Sequence, residues 1–140
     1  MSSKNRDKGD QSTGPEASSF VKPRRSGYMT KLGGTGIMSN WKKRWFILDN
    51  HYIFYYTAPS DKKPCGIVCL ADYSDCRKAC SSDPKNVIKK SANMMVLKAM
   101  ENNDLGTNLR DYYFYTDTED VMRSWVNAIC EEVRLSLIHI

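Results

Sequence analysis

The 140-residue chain has no apolar run approaching the roughly 18 residues that a membrane-spanning helix needs. Its opening MSSKNRDKGD lacks the apolar stretch of a secretory signal, and Ser2 stands where a myristoylation signal needs glycine. The closing RLSLIHI does not form a prenylation box. We therefore expect neither a membrane-spanning nor a directly lipid-anchored protein. Histidine is scarce: His51 and His139 lie far from any Cys or Ser at a recognisable spacing, and the carboxylates form no evident pair. Neither enzyme activity nor a cofactor is expected. The five cysteines, Cys65, Cys69, Cys76, Cys80 and Cys130, are an odd number for a disulfide framework and read as reduced thiols of an intracellular protein. The spacings Cys65-x3-Cys69 and Cys76-x3-Cys80 invite a zinc reading. Against it, Cys69 sits in the strand-like run Gly66 to Leu70, no His is near, and structural zinc sites favour tight knuckles between turns. No metal is expected.

What the chain does have is a concentrated positive charge. Residues 20–44 carry Lys22, Arg24, Arg25, Lys31, Lys42, Lys43 and Arg44 and no acid. The net charge is +5, so these seven cations leave −2 for everything else. Such a segment implies an anionic partner: phosphate on a lipid, a nucleic acid or an acidic peptide.

Residues 1–19 contain almost no apolar side chains and balance three basic against three acidic residues. They cannot bury enough surface to offset their ordering entropy, and a disordered tail over residues 1–22 is predicted. Short strand-like runs follow, separated by turn residues: Gly27 to Leu32, Trp41 to Leu48, Tyr52 to Thr57, Gly66 to Ala71, Tyr73 to Ala79, Met94 to Met100 and Arg110 to Thr116. Asp49-Asn50 is predicted as a hairpin turn, and Ser81 to Ala92 as a loop. From Thr118 the period changes: Val121, Met122, Trp125, Ala128, Ile129 and Val133 recur at helical spacing, behind a capping-box match at Thr116-Asp-Thr-Glu119. The predicted fold is mostly β, a partly open seven-stranded antiparallel barrel or sandwich capped by one C-terminal helix. One domain over residues 23–135 is expected. Residues 136–140 read as a C-terminal extension, either non-native or the cut end of a longer protein.

Alternation in the second strand gives the first functional clue. Lys42 and Arg44 share parity with Phe46 and Leu48, whereas Lys43 points the other way. Two unpaired cations cannot sit in a core, so they must emerge at an open mouth of the sheet. Lys31 ends the preceding strand across the glycine-rich Gly33-Gly34-Thr35-Gly36 and lands beside them. Three cations around a rim, next to accessible backbone N–H groups, are expected to form a phosphate cradle, the alternative being that Lys42 and Arg44 are solvated or pair with an acid. Lys43 is expected to act through its diffuse field. Ile37 and Met38, in the loop beside the rim, are expected either to dip into a lipid interface or to pack in the core.

The stretches Gly27-Tyr28-Met29-Thr30-Lys31-Leu32-Gly33-Gly34, Trp41-Lys42-Lys43-Arg44-Trp45-Phe46-Ile47-Leu48 and Phe54-Tyr55-Tyr56 resemble the opening of a pleckstrin-homology (PH) domain. Tyr112-Tyr113-Phe114-Tyr115-Thr116-Asp117-Thr118 and the helix with Trp125 resemble its close. The nearest subgroup resembles the pleckstrin-homology domain-containing family A. The resemblance implies phosphoinositide headgroup binding through a Lys-x(n)-[Lys/Arg]-x-Arg pattern, met by Lys31, Lys42 and Arg44, with Tyr55 hydrogen-bonding a phosphate or simply packing in its strand. It also implies recruitment of a parent protein to the cytoplasmic face of a membrane. One departure stands out: Cys65 occupies a position that is basic in similar 3-phosphoinositide readers, so that contact is lost or shifts to Lys63. Two other readings stay open: a protein-interaction module of the same fold with little lipid binding, and a nucleic-acid module, suggested by cations interleaved with Trp41 and Trp45. A phosphoinositide membrane partner is expected ahead of a protein partner, and no nucleic acid is expected.

Overall fold

The computed structural model describes residues 13–33, 40–100 and 109–138. Seven strands, β1 (Arg25–Gly33), β2 (Asn40–Asp49), β3 (Tyr52–Tyr56), β4 (Gly66–Cys69), β5 (Tyr73–Lys78), β6 (Met94–Ala99) and β7 (Tyr112–Tyr115), form one antiparallel sheet in the order β4-β3-β2-β1-β7-β6-β5. A four-residue helix α1 (Lys85–Ile88) lies between β5 and β6, and the long helix α2 (Glu119–Ile138) closes the described chain. This is the seven-stranded, helix-capped architecture predicted above.

The sheet curls into a half-barrel, and its two halves meet at a short seam. β1 and β2 are paired along their whole length, from Arg25↔Leu48 to Gly33↔Asn40, whereas β1 and β7 share only Thr30↔Tyr115 and Lys31↔Phe114. The β2–β3 hairpin turns on Asn50 and His51, both with positive φ (50° and 71°), between the closing pair Asp49↔Tyr52. Two consecutive left-handed residues match the right-handed twist of the flanking strands. The turn therefore sits one residue later than expected.

The inner face of the sheet is one apolar cluster. Met29, Phe46, Leu48, Ile53, Met95, Leu97 and Phe114 from the strands meet Met122, Trp125, Ile129 and Val133 from α2. Trp125 is fully buried, edge-on to Phe46 at 6.4 Å between ring centroids. α2 packs along β5, the last strand of the sheet, and so covers an edge that would otherwise expose its backbone. Val121 departs from the predicted stripe and faces solvent. The helix cap also differs: Thr118 Oγ1 accepts from Val121 N at 3.2 Å, while Glu119 pairs with Arg123 one turn on. Thr118 is thus the N-cap, and the box predicted from Thr116 is displaced by two residues.

Three further segments differ from expectation. Residues 13–20, predicted as part of a disordered tail, strap across the outer face of β2, β3 and β4. Ala17 is buried beside Ile47 and Tyr56, and the Phe20 ring packs on Phe54 at 5.0 Å. Ala17 N donates to Asp61 O at 2.9 Å, and the Tyr56 phenol donates to Pro15 O at 2.8 Å. Burial pushes that phenol up to about 12, which keeps the donor protonated. A handful of well-placed contacts holds a segment whose composition shows no core-forming pattern. In the predicted loop over residues 81–92, α1 buries Val87, and Asp83 is clamped by Arg77 through two bonds of 3.0 and 3.3 Å. At the other end, α2 runs through Ile138 with Ser136 buried, so most of the extension expected over residues 136–140 is helix.

Candidate functional site

The end of β1 and the beginning of β2 carry the cations. Register places Lys31 directly opposite Lys42 and Met29 opposite Arg44. Met29 is a core residue, so Lys31, Lys42 and Arg44 share the inner face, as the parity of β2 predicts. Lys43 pairs with Thr30 on the outer face, where its ammonium lies 5.2 Å from the Tyr28 ring centroid. Like charges directly across a ladder repel. Lys42 and Arg44 have no ion pair with a described carboxylate; the Arg44 guanidinium donates instead to the carbonyl of Lys43 at 2.9 Å.

Lys31 is more enclosed than a rim lysine needs to be. It is buried, its ammonium 4.8 Å from the Tyr55 ring centroid and 6.0 Å from that of Tyr112. Aromatic faces attract a cation when water is largely excluded. Tyr55 lies on β3 opposite Phe46 and Gly66, and its phenol crosses the backbone of Gly66 so closely that a Cβ there would overlap it. Gly66 is therefore what lets the Tyr55 ring lie flat beneath Lys31. Cys65, just before it, is buried; its N–H donates to Tyr55 O at 2.7 Å and its thiol touches Thr57 Oγ1 at 3.4 Å. Lys63 is exposed on the β3–β4 connection, which Asp61 stiffens by accepting from Thr57 N and Ala58 N.

Lys31, Lys42, Arg44 and Tyr55 thus gather at one mouth of the sheet, Lys63 lies on the neighbouring loop, and Lys43 lies on the far face. Ile37 and Met38 lie outside the described residues. Sequence reasoning missed two contributors. Tyr112 supplies a second ring beside Lys31, and the Arg110 guanidinium stacks 5.6 Å from the same ring. Parity in β7 puts Tyr112 on the face of Phe114, but only the Lys31↔Phe114 pairing brings it to the cations. The other basic residues of the segment go elsewhere. Arg24 pairs with Glu132 at 3.1 Å, and Arg25 stacks on Trp125 at 5.1 Å, both at the helix-capped end. Among the described residues no three His, Cys, Asp or Glu side chains gather to hold a metal ion, and no helix is long and apolar enough to cross a membrane.

The fold recurs in known proteins. The chain is 28% identical to the PH domain of human pleckstrin homology domain-containing protein family A member 5, with a TM-score of 0.61 over 87% of this chain and 89% of that one. The Slm1 PH domain, solved in complex with D-myo-inositol-4-phosphate, shares the fold at 14% identity, with a TM-score of 0.59 over 81% of this chain and 97% of that one. Among curated proteins, an ankyrin repeat, PH and SEC7 domain containing protein of Dictyostelium discoideum is 33% identical over 111 residues, 75% of this chain. Human cytohesin-3 is 44% identical over 55 residues, 39% of this chain. The matched parts span only 10% and 14% of those two relatives. The PH-domain family model matches residues 23–134, from the residue before the paired Arg24 to the last turns of α2. With the sheet order, the helix cap and most of its length accounted for in this way, the chain belongs to the PH-domain family.

Proposed function

We propose that this PH domain binds the phosphorylated headgroup of a phosphoinositide and thereby recruits the protein that carries it to the cytoplasmic face of a membrane. Lys31, Lys42 and Arg44 grip the phosphates from the inner face of the β1–β2 hairpin. Tyr55 holds the Lys31 ammonium against its ring and offers its phenol to the same ligand. Arg110 and Lys63 extend the positive rim, Lys43 adds a long-range pull, and Ile37 and Met38 meet the lipid.

The observation that carries the reading is the facing of Lys31 and Lys42 in register, with Arg44 next on the same face and no described carboxylate paired to Lys42 or Arg44. An anion seated between facing cations relieves their repulsion and makes charge-assisted bonds, each worth about 1.5–3 kcal/mol. The inositol phosphate held by the Slm1 PH domain is consistent with such a ligand. Cys65 in place of a base leaves that side of the rim to Lys63, so we infer modest selectivity among headgroup isomers.

Calorimetric titration with soluble inositol phosphates, beside pelleting with phosphatidylcholine vesicles that carry or lack phosphoinositide, tests the proposal. Saturable headgroup binding and phosphoinositide-dependent pelleting are expected. Absence of both would overturn it and favour the protein-interaction reading. Pelleting with any anionic vesicle, without headgroup binding, would reduce the rim to a general electrostatic surface.

A further inference from the structure

We propose that Cys130 and Cys76 form a peroxide-reactive dithiol site, in which Cys130 is the attacking thiol and Cys76 closes a disulfide that staples α2 to β5. The inference is independent of headgroup binding.

The two cysteines sit on elements packed against each other, Cys76 on β5 and Cys130 in the middle of α2. The Cys130 thiol donates to the carbonyl of Cys76 at 2.8 Å, which brings the two cysteines together where α2 packs on β5. Their environments differ. Cys76 belongs to the core and is almost wholly buried, whereas Cys130 is partly exposed and lines an open cavity of about 270 Å³ with Ser74, Asp75, Val133, Arg134 and Leu137. Cys76 borders a second cavity, of about 210 Å³, but is only 2% exposed, so a small peroxide meets the more exposed Cys130 first. The neighbouring Cys76 side chain draws the Cys130 thiol down to about 7, while the Cys130 side chain and burial hold Cys76 well above the usual thiol range. The partly exposed thiol is thus the readier nucleophile, and the buried one keeps its proton until it is needed.

The chemistry balances with hydrogen peroxide as oxidant. The Cys130 thiolate attacks one peroxide oxygen, the O–O bond breaks, and Cys130 becomes a sulfenic acid while the other oxygen leaves and takes a proton as water. The Cys76 sulfur then attacks the Cys130 sulfur, the S–O bond breaks, and the hydroxide leaves as water with the Cys76 proton. Two thiols have lost two electrons, and the peroxide has become two waters. Cys80 is the competing thiol: it is exposed, with Ser82 Oγ at 3.0 Å, and its thiol is drawn below the usual range chiefly by that bond.

The test uses the 140-residue chain carrying Cys80→Ser, treated with hydrogen peroxide, quenched with an alkylating agent and mapped without reduction. The expected result is a loss of about two mass units, a peptide joining Cys76 to Cys130, and a melting temperature about 10 °C higher that reverts on reduction. Replacing Cys130 by Ser should abolish all three. In a Cys76→Ala protein, Cys130 should instead accumulate as sulfenic acid, trapped by a cyclic diketone. Should that variant not fold, the Cys80→Ser protein still decides the matter, because Cys130 should be alkylated about tenfold faster than partly buried Cys69. Oxidation that spares Cys130, links other cysteines, or leaves Cys130 oxidised but unlinked to Cys76 would overturn the proposal.

Discussion

The two ends of the β1–β2 hairpin carry the same kind of residue in opposite circumstances. At the helix-capped end, Arg24 reaches Glu132 and Arg25 lies over the Trp125 ring. Glu132 also accepts from His51 N at 3.1 Å and faces His51 Nδ1 at 3.0 Å, so one buried carboxylate ties α2 to both the start of β1 and the β2–β3 turn. At the open end, Lys31 faces Lys42 with Arg44 beside them, and Lys42 and Arg44 have no described acid. One charge run in the sequence is therefore two different devices. Arg24 and Arg25 are tied to α2 by a carboxylate and an aromatic face, whereas on the proposed reading Lys42 and Arg44, beside the ring-stacked Lys31, await a ligand from outside. Mutations at the closed end should act on folding and mutations at the open end on binding.

The largest effect should come from the closed end. Trp125→Ala removes the biggest side chain of the helix interface, and such deletions cost on the order of 3–5 kcal/mol. Much of a marginal domain's stability would go, and thermal or denaturant melts would show it. A variant melting near the parent would mean that α2 is not what closes the sheet. Glu132→Ala should come next, at about 2–3 kcal/mol, because it strands Arg24 and a hairpin N–H together. Headgroup affinity of the folded fraction should stay within about twofold, since the lost bonds lie at the other end of the strands. A tenfold loss of affinity there would show the two ends to be coupled and blunt the comparison.

At the open end the signs should reverse. Arg44→Ala and Lys42→Ala should each weaken inositol-phosphate binding roughly ten- to a hundred-fold, the equivalent of one charge-assisted contact. Their melting temperatures should stay level or rise, because Lys42 faces Lys31 across the ladder and Arg44 adds a third like charge on the same face. A clear loss of stability in either variant, with binding intact, would move that residue to the structural side of the division.

The strap over residues 13–20 adds a third region, one that carries almost no charge. Deleting residues 1–22 should cost about 2 kcal/mol through the exposed Phe54 and Ile47 surface and the lost Tyr56 bond. Headgroup affinity should change little, because the strap lies on the outer face. Unchanged stability on deletion would restore the boundary predicted at residue 23.

How much of this was legible depended on how local the signal was. Alternation within β2 separated Lys42 and Arg44 from Lys43, and the 3.6-residue period found α2 and Trp125. Adjacency of β1 and β2 followed from a single connection. What stayed hidden needed partners far along the chain. Tyr112 and Arg110 reach Lys31 only through the β1–β7 seam, and Arg24 meets Glu132 across 108 positions. Composition likewise gave no sign that Ala17 and Phe20 would anchor a segment of Ser, Gly and Pro. Cations with and without a described acid look alike until the fold brings distant residues together.

The smallest expected effect is the sharpest test of face against face. Lys43 adjoins Lys42 and Arg44 in sequence, yet its ammonium sits over the Tyr28 ring on the outer side of the sheet. It can reach a ligand at the mouth only through the field of the whole protein. Lys43→Ala should therefore weaken binding no more than about threefold at low salt, and that loss should fade as ionic strength rises, since exposed charges are screened over about 10 Å at 0.1 M. The losses from Arg44→Ala and Lys42→Ala should persist in the same salt series, because direct contacts in a partly desolvated mouth are screened much less. Titrations of the three variants at 0.05 and 0.5 M salt would read the contrast directly. If Lys43→Ala proved as damaging as Arg44→Ala at both, the ligand would have to lie on the outer face, among Tyr28, Trp45 and Lys43, and the inner-face site would be wrong.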